Sequence, residues 1–368
     1  MSALLKFAKK NAVMLIAALL ALITSIIILP DEKYVDYFDF KTLSCLFSVL
    51  LVVCALRNIR FFYTLAKAIV RRFRNAKICI LALVYITFIG SMLIANDMAL
   101  LTFLPLGYFV LHTTGKEKYM AFTFIMQNIA ANLGGMLTPF GNPQNLYLYS
   151  KFNIPDLEFI KIMFPPFIIA IILITACCLI FVKSEPLVIE ERAARLPIAR
   201  TGIYLVLFAL SILIVFRTVP YYIGLAIIVL AMLFLDRRAF LDVDYGLLLT
   251  FVFFFIFSGN MARIDAVRNF FSYLLDKNTL IFSALSCQFI SNVPSAILLS
   301  QFTENYKHLL LGVNIGGAGT MIASLASLIT FREYSKQDPG HTARYVLKFS
   351  LFNFAFLGIL ILFCYIFQ

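Results

Sequence analysis

Residues 128–146 read NIAANLGGMLTPFGNPQNL, at the centre of a stretch, 119–150, without a charged side chain. That apolar stretch belongs in a bilayer, yet Gly134, Gly135, Pro139, Gly141 and Pro143 interrupt any helix there. Four asparagines and a glutamine share the segment. Irregular backbone at membrane depth persists only where protein or a water-lined cavity satisfies its polar groups. The segment therefore reads as part of an internal site.

The rest of the chain agrees with a bilayer. Of 368 residues, 62% are hydrophobic and 14% charged, with a mean hydropathy of +0.93, which excludes a soluble domain. Spans are expected at 11–30, 42–57, 119–150 (broken), 162–182, 201–217, 219–235, 245–262, 309–331 (broken) and 345–367. The first run is too long for a signal peptide and lacks a small-residue cleavage site. With the N-terminus inside, 22 of the 31 Lys and Arg residues fall on cytoplasmic segments. The positive-inside rule thus predicts a multi-pass protein of the inner or plasma membrane, N-terminus cytoplasmic and C-terminus outside.

The net charge of +12 is concentrated accordingly, most densely at 57–77. That stretch reads as a surface-lying amphipathic helix beside anionic lipid, not as a nucleic-acid footprint. All seven cysteines lie in apolar segments without a C-x-x-C pair, and the three histidines lack metal-ligand spacing. H-E-x-x-H, G-x-S-x-G and Walker A motifs are absent, so neither an intramembrane protease nor an ATP-driven pump is supported. No cofactor is implied.

Residues 278–303 form an uncharged run interrupted at Ser291-Asn292-Val293-Pro294. Each arm reaches only ~18 Å against a hydrocarbon core of ~30 Å, which describes a re-entrant hairpin. Residues 78–115 flank Ala95-Asn96-Asp97 with longer arms, so they read as two full spans or as a second hairpin. An internal comparison favours the hairpin. FDFKTLSCLFSVLL from Phe38 matches VDYGLLLTFVFFFI from Val243. Amphipathic segments follow at 59–74 and 263–276. Then Asn96-Asp97 faces Asn292-Val293, and NIAANLGGMLTPFGN from Asn128 faces NIGGAGTMIASLAS from Asn314. The first copy, from its N-terminal span, begins in-to-out and the second out-to-in, an inverted repeat of the transporter kind. The expected fold is an all-α polytopic membrane protein with two re-entrant hairpins and two broken helices. Its units are a first repeat (1–183), a linker with a connecting span (184–218) and a second repeat (219–368).

In order, these motifs resemble the ion transporter superfamily. That group includes divalent anion/sodium symporters, citrate transporters, arsenite efflux permeases and NhaD-type sodium–proton antiporters. The resemblance implies a homodimeric elevator carrying a small ionic substrate, with Na+ or H+ as coupling ion. In its sodium/anion members a Ser-Asn-Thr motif at each hairpin tip binds substrate and helps hold sodium. Here those positions are Ala95-Asn96-Asp97 and Ser291-Asn292-Val293, so Asp97 and Val293 stand where hydroxyls are expected. An Asn-Asp pair looks more like arsenite permeases and NhaD-type antiporters, whereas Gly-Asn-Pro-Gln-Asn (141–145) is closer to anion permeases. The Gly-rich loops match Gly134 to Asn145 and Gly316 to Ser327.

The implied substrate-binding set is Asn96, Asp97, Asn142, Asn145, Ser291, Asn292, Asn314, Thr320 and Ser327. The implied coupling set is Asp97, Gly141, Asn142, Asn128, Asn292 and Ala326, with Na+ placed at Asn96, Asn142 and Asn292. Each has a plainer reading. Asp97 is either a helix cap or the coupling acid, being the only formal charge between Lys77 and Lys116. Asn96 and Asn292 either close their turns or touch ligand. Asn128 and Asn314 are either interhelical hydrogen-bond partners or ligands. No Lys or Arg falls in the expected site, so an anion would be held by helix N-termini, amides, hydroxyls and a co-bound cation. The favoured activity is coupled transport of a small anion or oxyanion, with arsenite efflux or Na+/H+ antiport as the alternative and a passive channel or a membrane enzyme behind both.

Overall fold

A computed structural model describes residues 11–187 and 196–367. Lys6, Lys9, Lys10, Arg192 and Arg195, which entered the charge count, lie outside the described residues. The described chain is helical, and its one extended pairing is an isolated bridge between Asn75 and Pro186. Six described helices are long and apolar enough to cross a membrane.

The first half runs α1 (Ala12–Ile27), α2 (Phe40–Asn58), α3 (Phe61–Val70), α4 (Ala76–Ile94), α5 (Asn96–Thr113), α6 (Met120–Gly134), α7 (Pro143–Lys151) and α8 (Asp156–Phe181). The second runs α9 (Ile198–Val215), α10 (Tyr221–Leu235), α11 (Arg237–Asp242), α12 (Tyr245–Ala262), α13 (Asp265–Ile290), α14 (Asn292–Leu299), α15 (Tyr306–Ile315), α16 (Leu325–Gln337) and α17 (Thr342–Phe367).

Short-range chemistry sets the boundaries. Asp39 starts α2 by accepting from Thr42 N–H at 2.9 Å, and Asp244 starts α12 by accepting from Leu247 N–H at 3.0 Å. The expected amphipathic segments appear as α3 and as the first part of α13, which bends at Asn278 (φ −164°, ψ 93°). The Asn278 Oδ1 caps the onward helix by accepting from Ile281 N–H at 2.9 Å. The arms of the first hairpin, α4 and α5, have 19 and 18 residues, about 28 Å each. That is span length, as the sequence allowed. Their turn nevertheless ends in the interior, where Asn96 is 3% exposed.

Two packing groups result. Helices α1, α2 and α9–α12 pack chiefly on one another, with α1 along α12 and α9 along α2. Helices α4–α8 and α13–α17 form the other group, with α4 along α6 and α13 against α15. Contacts of α14 and α7 with α12 and α2 join them. Leu19, Leu22, Ile26, Ile180, Phe234 and Leu362 are among the apolar side chains left exposed on outer faces, the pattern that lipid contact requires.

Candidate functional site

Four interruptions of helix meet inside the second group. The α4–α5 turn pivots on Ala95 (φ 64°) and the α13–α14 turn on Ser291 (φ 76°). In each, the next residue is an asparagine whose Oδ1 accepts from the following backbone N–H, Asp97 or Val293, both at 2.9 Å. Helix α6 stops at a short 3-10 turn, Gly135–Leu137, and the chain restarts as α7 with Pro143 in its first turn. Helix α15 stops before Gly316, and α16 restarts under a Ser324 cap, whose Oγ accepts from Ala326 N–H at 3.2 Å.

The 135–142 loop folds tightly onto itself. A Cβ on Gly141 would lie 2.3 Å from Gly135 O, so only glycine permits that approach. Asn145 ties the loop down by donating to the carbonyls of Gly135, Met136 and Thr138 at 3.1–3.2 Å. Its Oδ1 accepts from Asn314 Nδ2 at 2.6 Å, and Asn314 Oδ1 accepts from Asn142 Nδ2 at 3.3 Å and from Gln144 Nε2 at 3.4 Å. One break is thus laced to the other by side-chain amides.

Asn132, which sequence reasoning did not single out, completes the junction. Its Oδ1 accepts from Asn96 Nδ2 at 3.1 Å and from Ser324 Oγ at 2.9 Å. A Cβ added to Gly317 would lie 3.2 Å from Asn292 Nδ2 and 3.8 Å from Asn132 Oδ1, which places both amides beside one glycine. Several buried polar atoms here have no partner: Asn132 Nδ2, Asn142 Oδ1, Gln144 Oε1 and Ser327 Oγ. Such atoms cost stability unless a ligand or water satisfies them.

A cavity of ≈ 80 Å³ opens beside this network, lined by both tips (Asn96, Asp97, Ser291, Asn292) and by Gln144 and Ser324. It has room for several waters. Its rim includes Asp244 and Arg332. Arg332 corrects the expectation of a site without Lys or Arg: α16 runs on past the apolar break, and this residue is part of the cavity lining.

The remaining site residues divide. Asn96, Asp97, Ser291 and Asn292 line the cavity, Asn142, Asn145 and Asn314 form the adjoining network, and the Ser327 hydroxyl on α16 is buried without a partner. Ala326 and Gly141 build its backbone. Thr320 is held elsewhere, donating from Oγ1 to Gln288 O at 3.0 Å while its N–H donates to Gln288 Oε1 at 2.8 Å. Asn128 lies off the cavity, accepting from Thr330 Oγ1 at 3.3 Å and donating to Asn353 Oδ1 at 3.5 Å. Asp97 is not the cap of α5: position 95 is, with no side-chain bond, and Asp97 sits in the first turn, where the helix's partial positive charge favours a carboxylate.

The sequence is 34% identical over 308 residues to a Methanocaldococcus jannaschii protein named as an uncharacterized transporter, covering 83% of this chain and 84% of that one. It is 29% identical over 304 residues to the inner membrane protein YbiR of Escherichia coli, covering 80% of each. The profile of the citrate transporter family (CitMHS) matches residues 3–306. The chain is a multi-pass membrane protein and belongs to the citrate transporter family.

Proposed function

We propose that the protein is a secondary active transporter of a small anion or oxyanion, coupled to Na+ or H+. The observation that carries this reading is the convergence of two hairpin tips and two helix breaks on one cavity, whose lining includes Gln144 with its Oε1 buried and unpartnered. Amide and hydroxyl oxygens such as Asn142 Oδ1 and Ser327 Oγ suit a hard cation. The helix starts at Asn96, Asn292 and Leu325 suit an anion. The family's name fits a carboxylate cargo.

The inverted repeat belongs to the same proposal. Its support is the recurrence, in the same order, of an Asp cap, an amphipathic helix, a positive-φ tip before asparagine and a Gly-rich break. With the N-terminus inside, Asn11 and Asp244 at the cavity face the cytoplasm, and this conformation is the inward one. The second packing group then moves against the first as an elevator, in a homodimer. A second reading, arsenite efflux or Na+/H+ antiport, is favoured by one feature: Asp97 lines the cavity with Asp244 also at its rim.

Uptake into proteoliposomes under imposed Na+ and pH gradients tests both readings. Anion accumulation against its own gradient, driven by either ion, is expected. Flux that follows only the anion's gradient would leave a channel.

A further inference from the structure

A second groove lies between α3 and α5, lined by Arg57, Arg60, Phe62, Tyr63, Leu101 and Pro105, with a volume of ≈ 330 Å³. Arg57 leaves the last turn of α2, and its Nη1 is 3.4 Å from Met98 Sδ, a weak acceptor for a guanidinium. Arg60 is exposed, with a left-handed backbone (φ 56°), and precedes α3 without a side-chain cap. Residues 40–96 contain no Asp or Glu. Asp242, which reaches the end of α2, accepts from Asn58 Nδ2 at 3.0 Å.

The surroundings are those of an interfacial helix. Phe62, Ala66 and Val70 bury one face of α3, while Leu65 and Ile69 are 50% and 40% exposed on the other. Leu101 on the groove wall is 49% exposed, and Pro105 offers no N–H to its carbonyl. Two guanidiniums beside exposed aliphatic surface match a molecule with an anionic head and apolar tails. A soluble anion has no use for the aliphatic half.

We propose that this groove binds one anionic phospholipid, its phosphate between Arg57 and Arg60 and its acyl chains over Leu101 and the outer face of α3. The occupant would sit where α2 leads into the first hairpin, outside the transport cavity, so the proposal stands apart from the substrate reading.

The test is native mass spectrometry of the full-length protein from nanodiscs of phosphatidylcholine with or without phosphatidylglycerol. One phosphatidylglycerol should be retained preferentially over phosphatidylcholine. Arg57→Gln with Arg60→Gln should weaken that retention about thirtyfold, two basic groups' worth, and Arg57→Lys with Arg60→Lys should keep most of it. Arg60→Gln alone, at an exposed side chain, serves if the double variant does not fold. Lys277→Gln should change nothing. Equal retention of both lipids, equal retention by the Gln variants, or displacement of the lipid by inorganic phosphate at matched concentration would each overturn the proposal.

Discussion

Ala95 and Ser291 adopt the same unusual backbone conformation, φ 64° with ψ 151° and φ 76° with ψ 158°. Both lie at hairpin turns, 196 positions apart in the numbering, and both precede an asparagine that closes the turn through its Oδ1. This region is essentially glycine's, and a residue with a Cβ pays of order 1–3 kcal/mol to stay there. The packing that holds Ala95 and Ser291 in place also points Asn96 and Asn292 toward one cavity.

That strain predicts the response to substitution at the tips. Ala95→Gly should leave thermal stability in detergent unchanged or raised, because the Cβ conflict disappears. Ala95→Val should lower stability by at least about 1 kcal/mol, since a β-branched residue is least tolerant of positive φ. Equal melting temperatures for the two variants would mean that the turn relaxes freely.

Asn132, Asn96 and Asn292 form a graded series. Asn96→Ala and Asn292→Ala each remove one amide from the cavity, so substrate affinity should fall about ten- to a hundredfold with folding intact. Asn132→Ala takes away the acceptor of both Asn96 Nδ2 and the Ser324 hydroxyl proton, and it should lower stability by ~1–3 kcal/mol besides weakening transport. Uptake kinetics and melting curves measured on the same preparations separate these effects. Unchanged kinetics for Asn96→Ala and Asn292→Ala would confine those amides to closing their turns.

The breaks and tips were legible because Gly, Pro and Asn are costly in apolar helices: Gly141, Pro143 and Asn292 announce irregular backbone on their own. The partner choices were not. Asn132 matters through Asn96 and Ser324, the latter 192 residues distant, and nothing local marks it beyond the amide-rich run it shares with Asn128. Thr320 read as a site hydroxyl because it lies in the Gly-rich loop, 316–327, that the resemblance matched, yet Gln288 from a neighbouring arm takes it. Arg332 read as an ordinary basic residue past a span, since sequence does not show that the first turns of α16 border the cavity.

Glu185 offers a test outside the membrane. Its carboxylate accepts from Lys116 Nζ at 2.7 Å, Lys118 Nζ at 2.6 Å and Tyr119 Oη at 3.0 Å. Those bonds, led by Lys116, hold its pKa down to about 2 from an ordinary 4.5. The backbone beside it is paired, with Ala76 N–H donating to Glu185 O at 2.8 Å and Leu187 N–H to Arg74 O at 3.0 Å. A depressed carboxyl contributes fully above pH 4.5 and loses that contribution as pH falls toward 2. Protection of the Ala76 and Leu187 amides from hydrogen exchange should hold from pH 7 to 4.5 and fall below it. Glu185→Gln should reduce it at pH 7, and high salt should do so in part. Protection indifferent to all three would remove Glu185 from the tie.

Orientation can be read by labelling. Single cysteines on a background without the native seven should react from outside at 31–38, 151–160 and 303–308. Those at 184–187 and 333–343 should react only from the cytoplasm. Opposite sides for the latter pair would break the inverted repeat.

Asp97 decides between the two transport readings. A carboxylate in this interior is costly when ionised and unpaired, so it should carry either a proton or a cation. Asp97→Asn keeps the shape and one oxygen at the cavity while removing the titratable charge. If Asp97 is the coupling group, gradient-driven flux should vanish while binding or exchange of substrate survives. The efflux and antiport reading loses all cation- or proton-linked flux, whereas anion symport keeps anion recognition with weaker Na+ or H+ dependence. Asp244→Asn is the necessary comparison, because Asp244 is exposed at the same rim and also caps α12. That change should shift the pH profile slightly at most, since removing a charge exposed to water alters its neighbours little. Parent-like transport by Asp97→Asn at every pH and Na+ concentration would reduce Asp97 to a complement of the α5 dipole. Coupling would then rest on the neutral oxygens of Asn142, Gln144 and Ser327, which are among the buried acceptors that lack a protein partner.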